Sequence, residues 1–436
     1  MPLPGYRLRR FAAAAALLLL PVPGLTAQEL EILAEYETEM TAITADPRVA
    51  AALDDVLAMD EQNERLLIEL TEIEAPPFKE EKRAAHYRGL IREAGFDADL
   101  DEIGNVVARR DGQGGGRTVA VVAHLDTVFP EGTDVTVRRE GDKLMAPGIA
   151  DDTRGLVTIL TILKVMDRHG LDTRDDVLFV GSVGEEGIGD LRGVKHLFRD
   201  GASRIDAFIA VDGTSNTRVL NHAIGSHRYR VRFLGPGGHS WGAFGLGNPA
   251  HAMARAIKLF DDRAGEYVTA GAKTTYNIGR IGGGTSVNSI PFESWMEVDM
   301  RSMEPGRLEE IDAIFQAAMT EALAEQNELR RDGEELTVDI EMIGNRPSGI
   351  VPIDTPLIQR AFAATRAVGA EPELSMGSTD SNVAIALGIP ATTVGSGGEG
   401  FGAHSLHEWW ANRDGHLGIQ KALLLVLAEA GFQAAN

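Results

Sequence analysis

Short apolar runs alternate with amphipathic stretches along most of this chain. Residues 118–123, 177–183 and 207–211 are nearly unbroken aliphatic runs, the pattern of strands buried on both faces. Residues 79–94 and 156–166 carry apolar positions at helical spacing and stop at Gly95 and Gly170. The alternation predicts an α/β fold, with a mainly parallel sheet sandwiched by helices. Near residue 226 the rhythm changes. Residues 229–233 alternate apolar and charged positions as a half-exposed strand, and 249–260 read as a helix. Strands at 274–281 and 295–300, a helix at 308–323 and a strand at 336–343 follow. That order, βαββαβ, predicts a ferredoxin-like α+β lid inserted at 226–344, which divides a larger domain into 61–225 and 345–436. The second part resumes with a helix at 356–367, strands at 374–377 and 390–394, and a closing helix at 414–430.

Two N-terminal segments stand apart. Residues 28–60 are acidic, with Leu33, Met40, Val49, Leu53 and Val56 at helical spacing, and read as an extension packed on the surface. Residues 1–27 have the form of an export signal: Arg7, Arg9 and Arg10, then an apolar run from Phe11 to Leu20, then small residues up to Ala27. The expected location is periplasmic or secreted. The formal charge of −23 argues against nucleic acid as a partner, and against an anionic membrane surface once the signal is removed. The chain has no cysteine, which excludes disulfides and thiolate metal sites. His, Asp and Glu are then the only strong metal ligands available.

Those ligand types gather where the buried runs end. The first run leads into His124-Leu125-Asp126, the second into Glu185-Glu186 and the third into Asp212. Gly148-Ile-Ala-Asp151-Asp152 lies between the first two, and Ala403-His404 comes near the C-terminus. The carboxyl ends of strands in an open α/β sheet line one crevice, so these groups should converge there. Several acids and two histidines would be held together by cations, which predicts a metal site with two metals. Either Asp151 or Asp152 can bridge them on sequence alone, since an Asp opening a helix can also simply cap it. Of the adjacent pair Glu185 and Glu186, one can bind metal while the other faces substrate.

The series His124-x-Asp126, Gly148-Ile-Ala-Asp151-Asp152, Glu185-Glu186, Asp212, Gly237-Gly-His239-Ser240 and His404-Ser-Leu-His407-Glu408 resembles the dinuclear-zinc exopeptidase and aminoacylase family over roughly residues 60–432. That family includes peptidase T, glutamate carboxypeptidase, acetylornithine deacetylase and succinyl-diaminopimelate desuccinylase. The resemblance implies two Zn²⁺ per subunit, with Mn²⁺ or Co²⁺ also suited to such donors. It implies Asp151 as the bridge, His124 and Asp212 on one metal, and Glu186 and His404 on the other. His404 is favoured over His407 because the family ligand lies four residues before the glutamate. Asp126 would orient His124, and Glu185 would be the general base for a water activated between the metals. His239 would reach from the lid of one subunit into the site of its neighbour, implying a homodimer through the lid. Asn288, Arg301, Ser378 and Thr379 match positions that bind substrate. The chain departs from the family after the bridge, where Thr153-Arg154-Gly155 replaces a more usual Lys-Gly.

The function this implies is hydrolysis of amide bonds in small peptides, by an exopeptidase acting as a di- or tripeptidase or in a carboxypeptidase-like manner. An N-acyl-amino-acid deacylase on the same site is the alternative, and a metal-free binding protein on the same fold is the third reading.

Overall fold

A computed structural model describes residues 30–434, so the export signal read at 1–27 lies outside the described residues. Four central strands, Asp176–Ser182, Thr118–His124, Ala207–Val211 and Ala391–Val394, run parallel in the main sheet. Every residue of Thr118–His124 and Ala207–Val211 is buried, which is why these strands read as unbroken apolar runs. Antiparallel strands Val106–Arg110 and Ala98–Leu100 extend one side. On the other, Arg218–Ala223 lies antiparallel to Ala391–Val394 and parallel to Glu373–Gly377. The sheet is therefore mixed around a parallel centre. Arg218–Ala223 escaped the sequence reading because Asn221 and His222 interrupt its apolar pattern. A small sheet of three-residue strands, including Lys143–Met145 and Trp409–Ala411, was too short to show any period.

Helices flank the main sheet. Arg154–Arg168 and Gly415–Glu429 are buried along nearly their whole length. Over them pack Ala34–Thr44 and Pro47–Ala58, with Val49, Ala52 and Val56 fully buried at helical spacing. The segment read as a surface extension is thus an outer helical layer of the fold, and the next helix, Asp60–Thr71, begins where that segment was read to end.

The inserted unit has strand order Thr274–Gly283, Glu293–Ser302, Gly225–Leu234, Thr337–Arg346, all neighbours antiparallel. This is the arrangement expected of a ferredoxin-like βαββαβ unit. Glu293–Ser302 shows why: every second residue is buried against the helices Pro249–Tyr267 and Pro305–Glu328 while the others face outward. Pro249 opens its helix, capped by the Asn248 side chain, which accepts from the Ala250 and His251 amides. Chain entry and exit cross closely at one point, where a Cβ on Gly225 would lie 2.8 Å from the Arg346 carbonyl. Only glycine fits that crossing.

The lid core is aromatic. Phe315 stacks on Tyr229 at 4.9 Å and meets Phe260 edge-on at 5.4 Å between ring centroids. Phe315→Ala should cost about 3–5 kcal/mol, because it removes a fully buried ring and leaves a cavity. Ile281→Ala, on a side chain 61% exposed, should stay within about 0.5 kcal/mol. Denaturant unfolding of the two variants against the parent chain checks the contrast.

Candidate metal centre

Three of the parallel strands deliver their carboxyl ends to one cleft of about 410 Å³, lined by Asp151, Glu185, Glu186, Asp212 and His404 together with four arginines. His124 ends the first strand, and its Nδ1 lies 3.0 Å from the Asp126 carbonyl oxygen. An oxygen with no proton of its own requires Nδ1 to be the donor, so Nε2 faces the cleft. There it lies 3.1 Å from Asp151 Oδ1. The other oxygen of Asp151 lies 3.3 Å from His404 Nε2, which also stands 2.9 Å from Glu186 Oε1. A single carboxylate therefore faces two histidines, one through each oxygen.

Asp151 owes this pose to its loop. The Glu408 carboxylate accepts hydrogen bonds from the amides of Gly148 and Ala150 at 2.8 Å and of Asp151 at 3.0 Å. Asp152 points the other way, buried, accepting from the His124 and Gly155 amides at 3.2 Å each. Asp152 thus ties strand end to helix start, and Asp151 faces the cleft. The peptide between them is cis. His404 has φ of 65°, in the left-handed region uncommon for residues other than glycine. The Ser405 amide and hydroxyl, both donating to the Gly402 carbonyl, hold that turn.

Three overlapping donor sets arise among the described residues: His124, Asp151 and Asp212; Asp151, Glu186 and His404; and His124, Glu185 and Glu186, each within 4.8 Å. Two ligands at about 2.1 Å on one tetrahedral cation sit roughly 3.4 Å apart, close to the spacings seen here. The donors are carboxylate oxygen and imidazole nitrogen, drawn together at the strand ends. They fit divalent cations, and Asp151 belongs to two of the three sets.

Electrostatics point the same way. Burial pushes the carboxyls of Glu186 and Asp212 above their ordinary range, and the neighbouring Asp151 charge adds to it. Burial also acts against Asp151, but hydrogen bonds from His124 and His404 outweigh it and hold that carboxyl well below the usual range. Hydrogen bonds to Asp151 and Glu186 raise His404 to about 10. The protonated imidazole thus supplies positive charge between the two acids.

Other predicted residues distribute unevenly. The Asp126 carboxylate lies 3.7 Å from His124 Nδ1 and is occupied by the amides of Glu185 and Glu186, at 3.0 and 2.8 Å. It fixes the glutamate pair, while its carbonyl sets the histidine. Arg301 and Ser378 line the cleft. Thr379 also lines it, but its hydroxyl is taken by Ser381 and Thr393. His239 and Asn288 sit at the exposed end of the lid, in and beside a two-stranded ribbon, and neither lines the cleft.

Sequence reading missed the cations that steady this cluster. Arg346, last residue of its strand and only 4% exposed, donates to Glu185 Oε1 at 3.0 Å, to the Glu185 carbonyl and to Ser378 at 3.1 Å. Arg83 is buried beneath the strand ends and donates to the carbonyls of Leu125 and Ile73. Neither carries a local motif; each is found only once the fold brings distant segments together. The unusual Arg154 turns away from the cleft, stacking over Trp410 at 4.8 Å and donating to the Gly415 carbonyl at 3.0 Å. Its departure from the family pattern concerns helix packing.

Comparison with known proteins agrees with this architecture. Carboxypeptidase G2 from Pseudomonas sp. (strain RS-16) is 27% identical over 391 residues, covering 84% of this chain and 89% of that protein. Among solved structures, the aminopeptidase PepT from Bacillus cereus superposes with a TM-score of 0.65 at 20% identity, over 84% of this chain and 98% of that one. The YXEP protein of Bacillus subtilis, described as a dinuclear metal binding peptidase from the M20 family, gives a TM-score of 0.61 at 17% identity, over 85% and 98%. At such identities these structures establish the fold. The model of Peptidase family M20/M25/M40 matches residues 120–428, most of the chain and every residue of the donor cluster, and this protein belongs to that family.

Proposed function

We propose that the protein is a dinuclear zinc exopeptidase that hydrolyses amide bonds at one end of small peptides. The observation that carries the reading is Asp151, whose two oxygens face different histidines while Glu185 stands beside them. Asp151 would bridge two cations, one also held by His124 and Asp212, the other by Glu186 and His404. When bound, such a pair acidifies a water and polarises the scissile carbonyl. Zinc suits this set of donors, and manganese or cobalt would fit it too.

The remaining steps belong to the chain. Glu185 is buried, its amide and carbonyl are tied to Asp126 and Arg346, and its Oε1 accepts from Arg346 at 3.0 Å, which holds the carboxylate in the cleft. It would take a proton from the attacking water and return it to the leaving amine. Among the described residues, both terminal nitrogens of Arg301 are without a hydrogen-bond partner, its Nε being held by Asp299 at 2.9 Å. It can grip a substrate carboxylate in a fork. His239 accepts the amides of Trp241 and Gly242 at Nδ1, both at 3.2 Å, which places its proton on Nε2 as a free donor. Trp241 is 88% exposed and Phe244 77%, so apolar surface surrounds that donor. This supports pairing of two chains through the lid, with His239 completing the partner's site. The signal-like leader supports export to the periplasm or beyond.

Two results should follow. Glu185→Gln should lower kcat by at least about a thousandfold while metal content stays near two per chain, measured by elemental analysis beside peptide turnover. Turnover near the parent's would exclude Glu185 as the base. Metal binding must also displace the His404 proton, since an imidazole raised to about 10 is protonated at neutral pH. Affinity for zinc should therefore rise with pH between 6 and 9. Calorimetry of zinc binding in buffers of different ionisation enthalpy should show net proton release.

A further inference from the structure

Two linkers join the lid to the main domain, and the pairing between them lapses at one point. On the lid side Arg346 pairs with Ser226, and on the main-sheet side Gly349 pairs with Ala223. Between these pairs lie Ile224-Gly225 in the entry linker and Pro347-Ser348 in the exit linker. Proline has no N–H to give a neighbouring strand, so the ladder loses a donor at this step. The hydroxyls of Ser226 and Ser348 are buried there without a hydrogen-bond partner among the described residues. The linkers' own side chains therefore do not close the gap.

Asn382 closes it. This residue is fully buried in the short helix Ser381–Ala386, and its Nδ2 donates to the carbonyls of Ile224 and Pro347, both at 2.9 Å. A side-chain amide nitrogen carries two protons, so one is committed to each linker. The Oδ1 of Asn382 accepts the Thr379 amide at 3.0 Å. The loop before the helix meets the linkers twice more. The Ile224 amide donates to the Gly377 carbonyl at 2.7 Å, and Arg346 donates to the Ser378 hydroxyl at 3.1 Å. Ser378 and Thr379 line the cleft, as do Arg228, Arg301 and Arg346 from the lid strands, whereas Asn382 does not. One side chain thus binds the entry linker, the exit linker and the loop that faces the cleft.

We infer that Asn382 is a positioning residue, which fixes the orientation of the lid over the cleft and with it the place of Arg301 relative to the strand-end carboxylates. For its kinetics the inference rests on the amide-hydrolase reading above; for the orientation itself it does not. Without the two donors, a carbonyl of each linker is buried unpartnered, and lid orientations that expose these carbonyls to water gain population. Substrate then meets an oriented lid in only a fraction of molecules, and its apparent affinity falls by that fraction. A bound substrate that reaches from Arg301 to the strand ends restores the orientation, so the chemical step is spared.

Asn382→Asp and Asn382→Ser test this on the full zinc-loaded chain. The first keeps the shape and the acceptor but loses both donors, and the second keeps one donor. KM for a cleaved dipeptide should rise about tenfold or more in Asn382→Asp, with kcat within about threefold of the parent and zinc content unchanged. Asn382→Ser should show a smaller rise. A general loss of folded enzyme would instead lower kcat and leave KM alone, and that result overturns the inference. So does a KM within about twofold of the parent in both variants, or a fall in kcat that matches the rise in KM. If Asn382→Asp does not fold, Asn382→Ser decides by the same criteria. Lid orientation separates this from the hydrolase reading. The chain has no cysteine, so Leu57→Cys and Ile281→Cys, at exposed positions, place one spin label on the outer helical layer and one on the lid. With labelled chain diluted into unlabelled chain, the distance distribution between the labels should be narrow in the parent background. It should broaden with either Asn382 substitution, even if no peptide is turned over. Equal widths overturn the inference whatever the activity.

Discussion

One carboxylate shared between two imidazoles governs the rest of this structure. Asp151 can present an oxygen to each of His124 and His404 only if its own backbone is immobile, and its loop has no regular structure to hold it. Glu408 does that work by accepting three successive loop amides, and Asp152 does it from the other side by joining the strand end to the helix start. Each anchor brings another carboxyl beneath the site, and burial pushes both above their ordinary range. The fold then buries Arg83 under the same strand ends, donating to backbone carbonyls. A cluster fitted to hold cations thus comes with a scaffold of ionisable groups around it, each tied down by hydrogen bonds.

The parallel centre of the sheet makes that scaffold possible. Strands buried on both faces leave little freedom in the position of their ends, so His124, Glu185 and Asp212 begin from fixed points. The lid is joined to this base by a close crossing at Gly225 and Arg346. Arg346 belongs to the lid strand and yet its guanidinium holds Glu185. The group proposed to move the proton is therefore held jointly by the two domains, and displacement of the lid would be felt at Glu185 directly.

Much of this was legible in the chain. The apolar runs ending at His124, before Glu185 and at Asp212 revealed the strands and the convergence of their ends, because burial on both faces leaves an unmistakable composition. The lid was legible from its alternating strands, which need one apolar face only. Some of the site was not legible at all. Whether Asp151 or Asp152 faces the cleft depends on loop dihedrals that no local pattern encodes. Asp126 was expected to orient His124 with its carboxylate; its carbonyl does so, leaving the carboxylate for two amides sixty residues along the chain. Arg218 and Arg346 sit in strands where an arginine looks like any half-exposed residue. Their significance comes from what the topology places opposite them.

That difference follows from what each kind of residue must satisfy. A metal ligand has strict requirements of its own, so its residue type and its place at a strand end announce it. An arginine that reads the substrate needs only a partner, and the partner may be any carboxylate within reach. Arg228, Arg301 and Arg346 find theirs inside the chain, in Asp299 and Glu185. Arg218 lies beside Asp212, donating to its carbonyl at 3.1 Å, and its charge offsets part of the burial that pushes the Asp212 carboxyl up. Each cation of the cleft thus answers an acid that the topology brings to the strand ends, and Lys421, donating to the carbonyls of Ser215, Asn216 and Arg218, braces the turn that carries the last of them.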